Sequence, residues 1–181
     1  MLIARMRLRF MSMALLVAAG VCADAAPPKN GDEAPDYVGK TLDGDVVLLS
    51  TLRGKAVVIS YWATWCQYCL KELPILSNIQ KAVGKDHMQV IAVNTESRDV
   101  FRKVTRALQP LDIQLAYDPD SKGREAYGVG PIPHMVIIGR DGVIDSVHKG
   151  YGEESLDKIV AAINRATGAG NPASGPEQRK Q

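Results

Sequence analysis

Cysteine is scarce in this chain: 181 residues hold three, Cys22, Cys66 and Cys69. A zinc site closed by four cysteines cannot be assembled from so few. A basic surplus is missing as well. Removing residues 1–25 takes away Arg5, Arg7, Arg9 and Asp24, so that 22 basic and 20 acidic side chains become 19 and 19. No basic cluster survives to neutralise phosphates, and nucleic acid is not implied as a partner. The N-terminal apolar run, Phe10 to Val21, is too short to cross a bilayer comfortably as a stable anchor. No internal repeat is visible, and the chain beyond residue 25 is about one domain long.

What is present at the start is a set of arginines, an apolar stretch and the small residues of Ala23-Asp24-Ala25, the pattern of a secretory signal cleaved after Ala25. Cys22 is then discarded. A lipid-modified Cys22 fits less well, because Val21 is bulky and Ala19 small where such signals prefer the reverse. The alternative to cleavage is an N-terminal segment retained as a membrane anchor. An even pair of cysteines remains, which suits an oxidising compartment.

The chain is organised around Tyr61-Trp62-Ala63-Thr64-Trp65-Cys66-Gln67-Tyr68-Cys69. Ala56-Val57-Val58-Ile59-Ser60 before it reads as a buried strand. After it, apolar residues at 70, 73, 76 and 79 recur at helical spacing. The cysteines therefore sit where a strand hands over to a helix, with Cys66 beside the orphan amides of the helix start. That placement stabilises a thiolate, and the thiolate is the form that attacks a disulfide. Cys69 follows by about one helical turn and can reach back to resolve a mixed disulfide at Cys66. A structural disulfide or half of a metal site are the competing readings of a lone C-x-x-C.

Trp62-Ala63-Thr64-Trp65-Cys66-Gln67-Tyr68-Cys69, followed by Glu72 and Pro74, resembles the W-x-x-W-C-x-x-C-x-x-E-x-P pattern of the TlpA/ResA-like branch of thioredoxin-fold oxidoreductases. The resemblance implies an α/β thioredoxin fold, a central mixed sheet flanked by helices, with an N-terminal β-hairpin extension and a central helix-strand insertion. It implies a redox-active Cys66–Cys69 disulfide and a cis bond at Ile132-Pro133, facing the cysteines. A substrate segment could then pair with the Ile132 backbone as an added strand. It also implies an active-site glutamate, assigned to Glu96 as a proton shuttle, while Glu72 is expected on the helix surface and Pro74 as a kink. Trp65, Gln67, Tyr68 and Ile132 are the expected substrate contacts. Thioredoxin carries an aspartate six residues before its first cysteine, and Ser60 stands there instead.

Along the rest of the chain the expected domains are a signal peptide at 1–25, a linker at 26–35, a thioredoxin-like domain at 36–167 and a disordered tail at 168–181. Asp43-Gly44 between apolar stretches marks a hairpin, and Asp141-Gly142 marks another. Strands are expected at 88–94, 113–117 and 134–138, with helices from about Asp99 to Leu108 and from about Glu153 to Ala166. The leading functional expectation is an extracytoplasmic thiol-disulfide oxidoreductase that reduces disulfides of exported proteins, such as apocytochrome c or copper-site cysteines. The resemblance implies a membrane thiol donor of the DsbD/CcdA type and no soluble cofactor. A monomer is expected. The alternative is a copper carrier with Cys66, Cys69 and His134 as ligands and, ranked last, a thiol peroxidase. The P-x-x-x-T-x-x-C motif of that last class is missing, since Ala63 occupies its threonine position.

Overall fold

The computed structural model describes residues 26–150 and 155–169. The expected signal peptide, the tail beyond residue 169 and the expected helix start at Glu153 lie outside them. Twelve elements follow in order: β1 (Tyr37–Lys40), β2 (Val46–Leu48), a 3-10 turn (Leu49–Leu52), β3 (Ala56–Trp62), α1 (Gln67–Val83), β4 (Met88–Asn94), α2 (Arg98–Leu108), β5 (Gln114–Tyr117), α3 (Lys122–Ala126), β6 (His134–Ile138), β7 (Ile144–Lys149) and α4 (Ser155–Thr167). The strands join in one sheet of order β2-β1-β5-β4-β3-β6-β7. β3, β4 and β5 run parallel, and β6, β7 and β1 pair antiparallel to their neighbours. This is the expected thioredoxin fold, with the β1–β2 hairpin as its extension and α2–β5 as its insertion.

β3 is buried at every position, as its β-branched run requires of a central strand covered on both faces. Its alternation divides the core. Val57, Ile59 and Tyr61 pack with Val38, Val47, Ala116, Tyr127, Val136 and Ile138 under the hairpin and α3. Ala56 and Val58 pack on the other face with Leu76 of α1 and Ile159, Ala162 and Ile163 of α4. Trp62 continues that second face into a smaller cluster with Cys66, Cys69, Leu73 and Ala92, against which Val104 and Leu108 of α2 rest.

Two expectations need correction. Residues 31–34 are not a free linker: Gly31 N–H donates to the Ile144 carbonyl (2.8 Å), Ile144 N–H to the Asp32 carbonyl (2.9 Å) and Ala34 N–H to the Gly142 carbonyl (3.0 Å). The segment covers backbone groups at the start of the β7 edge, which would otherwise offer a pairing template, and Ala34 joins the core. The apolar stripe of α1 is also rotated. Its buried residues are Cys69, Glu72, Leu73, Leu76, Ser77 and Gln80, while Leu70 is 41% exposed. Polar members of that stripe find partners across the packing interface. Ser77 Oγ accepts from Asp112 N–H at 2.8 Å, and Gln80 bonds to the Val90 amide and the Asp112 carbonyl. The helix continues through Pro74, which lies on its exposed side.

Candidate active site

β3 and β4 end side by side, with Trp62 opposite Asn94, so the connection from β3 into α1 emerges at the carboxyl edge of the parallel strands. Cys66 is the N-cap of α1, in extended backbone (φ −85°, ψ 93°). Its Sγ accepts the Cys69 amide N–H at 3.2 Å, one of the donors that a helix start leaves without an intrahelical partner. The first turn of α1 contains no acidic side chain, so nothing there opposes a negative charge on that sulfur. Cys66 and Cys69 form a disulfide, with S–S 2.07 Å and Cα–Cα 5.3 Å. Cys66 is 6% exposed and Cys69 fully buried, so the little solvent-facing surface the pair has belongs to Cys66.

The turn before Cys66 is held by Glu96. Its carboxylate accepts from Thr64 N–H (2.6 Å), Thr64 Oγ1 (3.0 Å) and Asn94 Nδ2 (3.3 Å), while Glu96 N–H donates to Asn94 Oδ1 (2.9 Å). A carboxylate so engaged clamps the loop that leads into Cys66. We expect Glu96→Ala to lower stability by about 1–3 kcal/mol through its orphaned donors, and Glu96→Gln to leave the pH midpoint of exchange in place. Chemical denaturation and a rate–pH profile check the two statements.

On the cysteine side of the sheet a carboxyl group does sit in the interior, that of Glu72, and its expected surface position is wrong. Glu72 is 6% exposed and accepts from Ser60 Oγ at 2.8 Å. Burial pushes its pKa up to about 7, against the opposing pull of the Ser60 hydrogen bond. It lies one turn along α1 from Cys69 on the same buried stripe. The buried acid that is missing from β3 at Ser60 is thus supplied from the facing helix, hydrogen-bonded to that serine. An unpaired hydroxyl in an apolar strand was the sequence signal that a polar partner faces it.

Ile132-Pro133 is cis, and Ile132 packs on the cluster that contains both cysteines. Trp65 (69% exposed), Tyr68 (56%) and Gln67 lie on the surface beside Cys66, and the Lys71 ammonium sits 5.8 Å from the Tyr68 ring centre. His134 does not join them. β6 pairs it with Tyr61, which places it on the sheet face with Val136 and Ile138, opposite the cysteines. Fully buried, it has no hydrogen-bond partner on either ring nitrogen among the described residues, and burial reinforced by Lys149 lowers its pKa to about 4. A copper site made of Cys66, Cys69 and His134 is therefore ruled out by register. Among the described residues no group of three or more His, Cys, Asp or Glu side chains is placed to hold a metal.

A disulfide at the start of a helix, at the carboxyl edge of a thioredoxin-type sheet and beside a cis-proline loop, defines a thiol-disulfide oxidoreductase of the thioredoxin fold. The chain belongs to the AhpC/TSA family, whose sequence profile matches residues 30–147, and within it to the ResA-like thiol-disulfide oxidoreductases. The thiol-disulfide oxidoreductase ResA of Bacillus thuringiensis is 30% identical over 148 residues, which are 82% of this chain and 84% of that protein. A thiol:disulfide interchange protein of the DsbE type from Chlorobium tepidum has a similar structure, with TM-score 0.68, 27% identity, and coverage of 78% of this chain and 99% of that one. The exposed lipoprotein thioredoxin of Streptococcus pneumoniae superposes with TM-score 0.59 at 28% identity, covering 72% of this chain and 99% of that one.

Proposed function

We propose that this chain is an extracytoplasmic reductant of protein disulfides, in which Cys66 attacks and Cys69 resolves. The observation that carries the reading is the asymmetry of the pair: Cys66 alone has an exposed face, and its sulfur accepts a helix-start amide. A Cys66 thiolate attacks one sulfur of a substrate disulfide, that S–S bond breaks, and the departing substrate thiolate takes up a proton. Cys69 then attacks Cys66 Sγ, releasing the second substrate thiol and leaving the Cys66–Cys69 disulfide. Two electrons have passed to the substrate.

The buried Cys69 thiol must lose its proton before it can resolve the intermediate. Glu72, with a pKa near neutrality and one turn away on the same buried face, is the group we assign to receive it. Trp65, Gln67 and Tyr68, exposed next to Cys66 in the chain, and Ile132, packed on the cysteine cluster, are the substrate contacts we assign, with Pro133 shaping the loop that carries Ile132. The exchange itself needs no soluble cofactor. Its electrons come from a membrane thiol donor of the DsbD/CcdA type, and its substrates are oxidised cysteine pairs of exported proteins, among them those of apocytochrome c or copper sites. The N-terminal arginines with their apolar stretch, and the similarity to an exposed lipoprotein thioredoxin, support the compartment. No described helix is long and apolar enough to cross a membrane.

The test is the redox state of the cysteines in cells, fixed by acid quench and alkylation with and without the donor. The dithiol is expected to predominate with the donor present and the disulfide without it. A redox state indifferent to the donor would overturn the proposed electron route.

A further inference from the structure

Beside the disulfide, on the side away from Pro133's strand, Trp62, Thr64, Leu70, Val104, Ala107 and Leu108 enclose a groove of about 170 Å³. Five of these six side chains are apolar. Val104 and Leu108 rest on the same cluster that holds Cys66 and Cys69, so the groove is continuous with the reactive site. Leu70 was expected on the core face of α1 and instead stays 41% exposed at the groove's wall. Trp65 just before the helix and Tyr68 in its first turn are exposed as well, at 69% and 56%, so this end of α1 presents several large apolar side chains to solvent. Cavities of roughly 150 Å³ accept a benzene-sized group, so the space matches one large side chain and no more.

The helix that forms the outer wall is locally basic, a cluster that the even charge balance of the chain conceals and that corrects the expectation of none. α2 carries Arg98, Arg102, Lys103 and Arg106 against a single acid, Asp99. Arg102 pairs with Asp99 (3.3 Å) and Arg98 donates to the Leu42 carbonyl (2.9 Å). Lys103 and Arg106 are exposed and have no ion-pair partner among the described residues. Glu96, the nearest acid in sequence before the helix, is turned inward to Thr64. The field over the groove therefore favours negative charge.

We infer that this groove is a specificity subsite for one large apolar or aromatic side chain of the substrate, carried on an extended cysteine-bearing segment with acidic residues flanking the anchor. The inference rests on the exchange reaction proposed above and adds the substrate's local chemistry to it. Apolar burial in the groove supplies the preference, and the basic helix steers the segment in before attack.

Two disulfide-linked peptides test it, identical except for phenylalanine or serine three residues from the reacting cysteine, both with flanking aspartates. The wild-type chain, reduced beforehand, is expected to favour the phenylalanine peptide by about tenfold in kcat/KM, a discrimination ordinary for an apolar pocket. Ala107→Trp fills the groove from an exposed position, and Leu70→Ser removes its other wall. Each is expected to bring the ratio toward one. Charge reversal in Lys103→Glu with Arg106→Glu is expected to slow both peptides at low salt and to matter little at high salt. Equal rates for the two peptides, or a ratio that survives Ala107→Trp and Leu70→Ser, would overturn the subsite. So would a change of oligomeric state on filling the groove, which would assign it to a second copy of the chain. Hydroxyethyl disulfide serves as the wild-type control. If even this small disulfide is not reduced, the oxidoreductase reading itself fails; if it is reduced while the peptides are not distinguished, only the subsite does.

Discussion

Cys66→Ser is expected to reduce disulfide exchange to the uncatalysed background, whereas Cys69→Ser is expected to attack once and stop as a mixed disulfide through Cys66. The difference follows from position. Cys66 caps α1, accepts an amide N–H through its sulfur and has the pair's only solvent-facing surface, while Cys69 is sealed beneath it. A thiol in the first place is biased toward the thiolate; one in the second can reach only Cys66. Insulin reduction measures the loss, and mass spectrometry under non-reducing conditions identifies the trapped species. A mixed disulfide accumulating on Cys69 in the Cys66→Ser variant would reverse the assigned roles.

Glu72→Gln has the second large effect, on two observables with different signs. In catalysis, removing the carboxylate takes away the acceptor for the Cys69 proton, so the rise in resolving rate through about pH 7 should disappear while the first attack by Cys66 persists. Stability moves the other way. The Glu72 pKa is raised from 4.5 to about 7 by burial, so the folded chain holds that proton more tightly than the unfolded chain. Stability from this group is fully present below pH 4.5 and is lost as pH rises to about 7, by at most about 3 kcal/mol. Glutamine, neutral throughout, avoids that loss and should be the more stable variant at pH 8.

His134 works against Glu72 in the same window. Its pKa is lowered from 6.5 to about 4, chiefly by burial and further by Lys149, so its contribution is lost as pH falls through that range. Between about pH 4.5 and 6.5 the two slopes oppose one another in the wild-type chain. In Glu72→Gln the His134 slope remains, joined by that of His148, whose pKa burial also lowers, and stability should climb with pH. Urea denaturation of the oxidised protein across this range reads the slope directly; a Glu72→Gln curve parallel to wild type would remove Glu72 as a buried titrating group.

The elements that could be read from the sequence are those whose signals are local. Met88–Asn94 and His134–Ile138 form strands at the expected bounds because each is a compact apolar run between breakers, and α1 stops at Gly84, which takes a positive φ of 93°. The cysteine pair was legible for the same reason, since strand, turn, C-x-x-C and helix occur within a few residues. What escaped depends on contacts between distant segments. Glu72 looked like a surface acid because its partner Ser60 lies twelve residues back on another element. The assignment of a proton carrier to Glu96 followed its place at a strand end, yet Thr64, thirty-two residues away, occupies its carboxylate. His134 sits next to Pro133 in sequence, but the β3–β6 register decides its face and sends it behind the sheet. Residues 31–34 resemble a linker in composition, and only the β7 edge explains why they dock. Leu70 fits a helical apolar period, and the polar stripe of Glu72, Ser77 and Gln80 rotates that period away from it.

The most direct test of the account is a redox titration of the Cys66/Cys69 couple against glutathione buffers, with the dithiol and disulfide forms counted by mass after alkylation. The account predicts a single two-electron transition, about 30 mV per tenfold change in ratio, centred nearer thioredoxin at about −270 mV than DsbA at about −120 mV. A pair that shows no reversible dithiol–disulfide transition, or one whose midpoint lies with DsbA, would contradict a reductant working through Cys66 and Cys69.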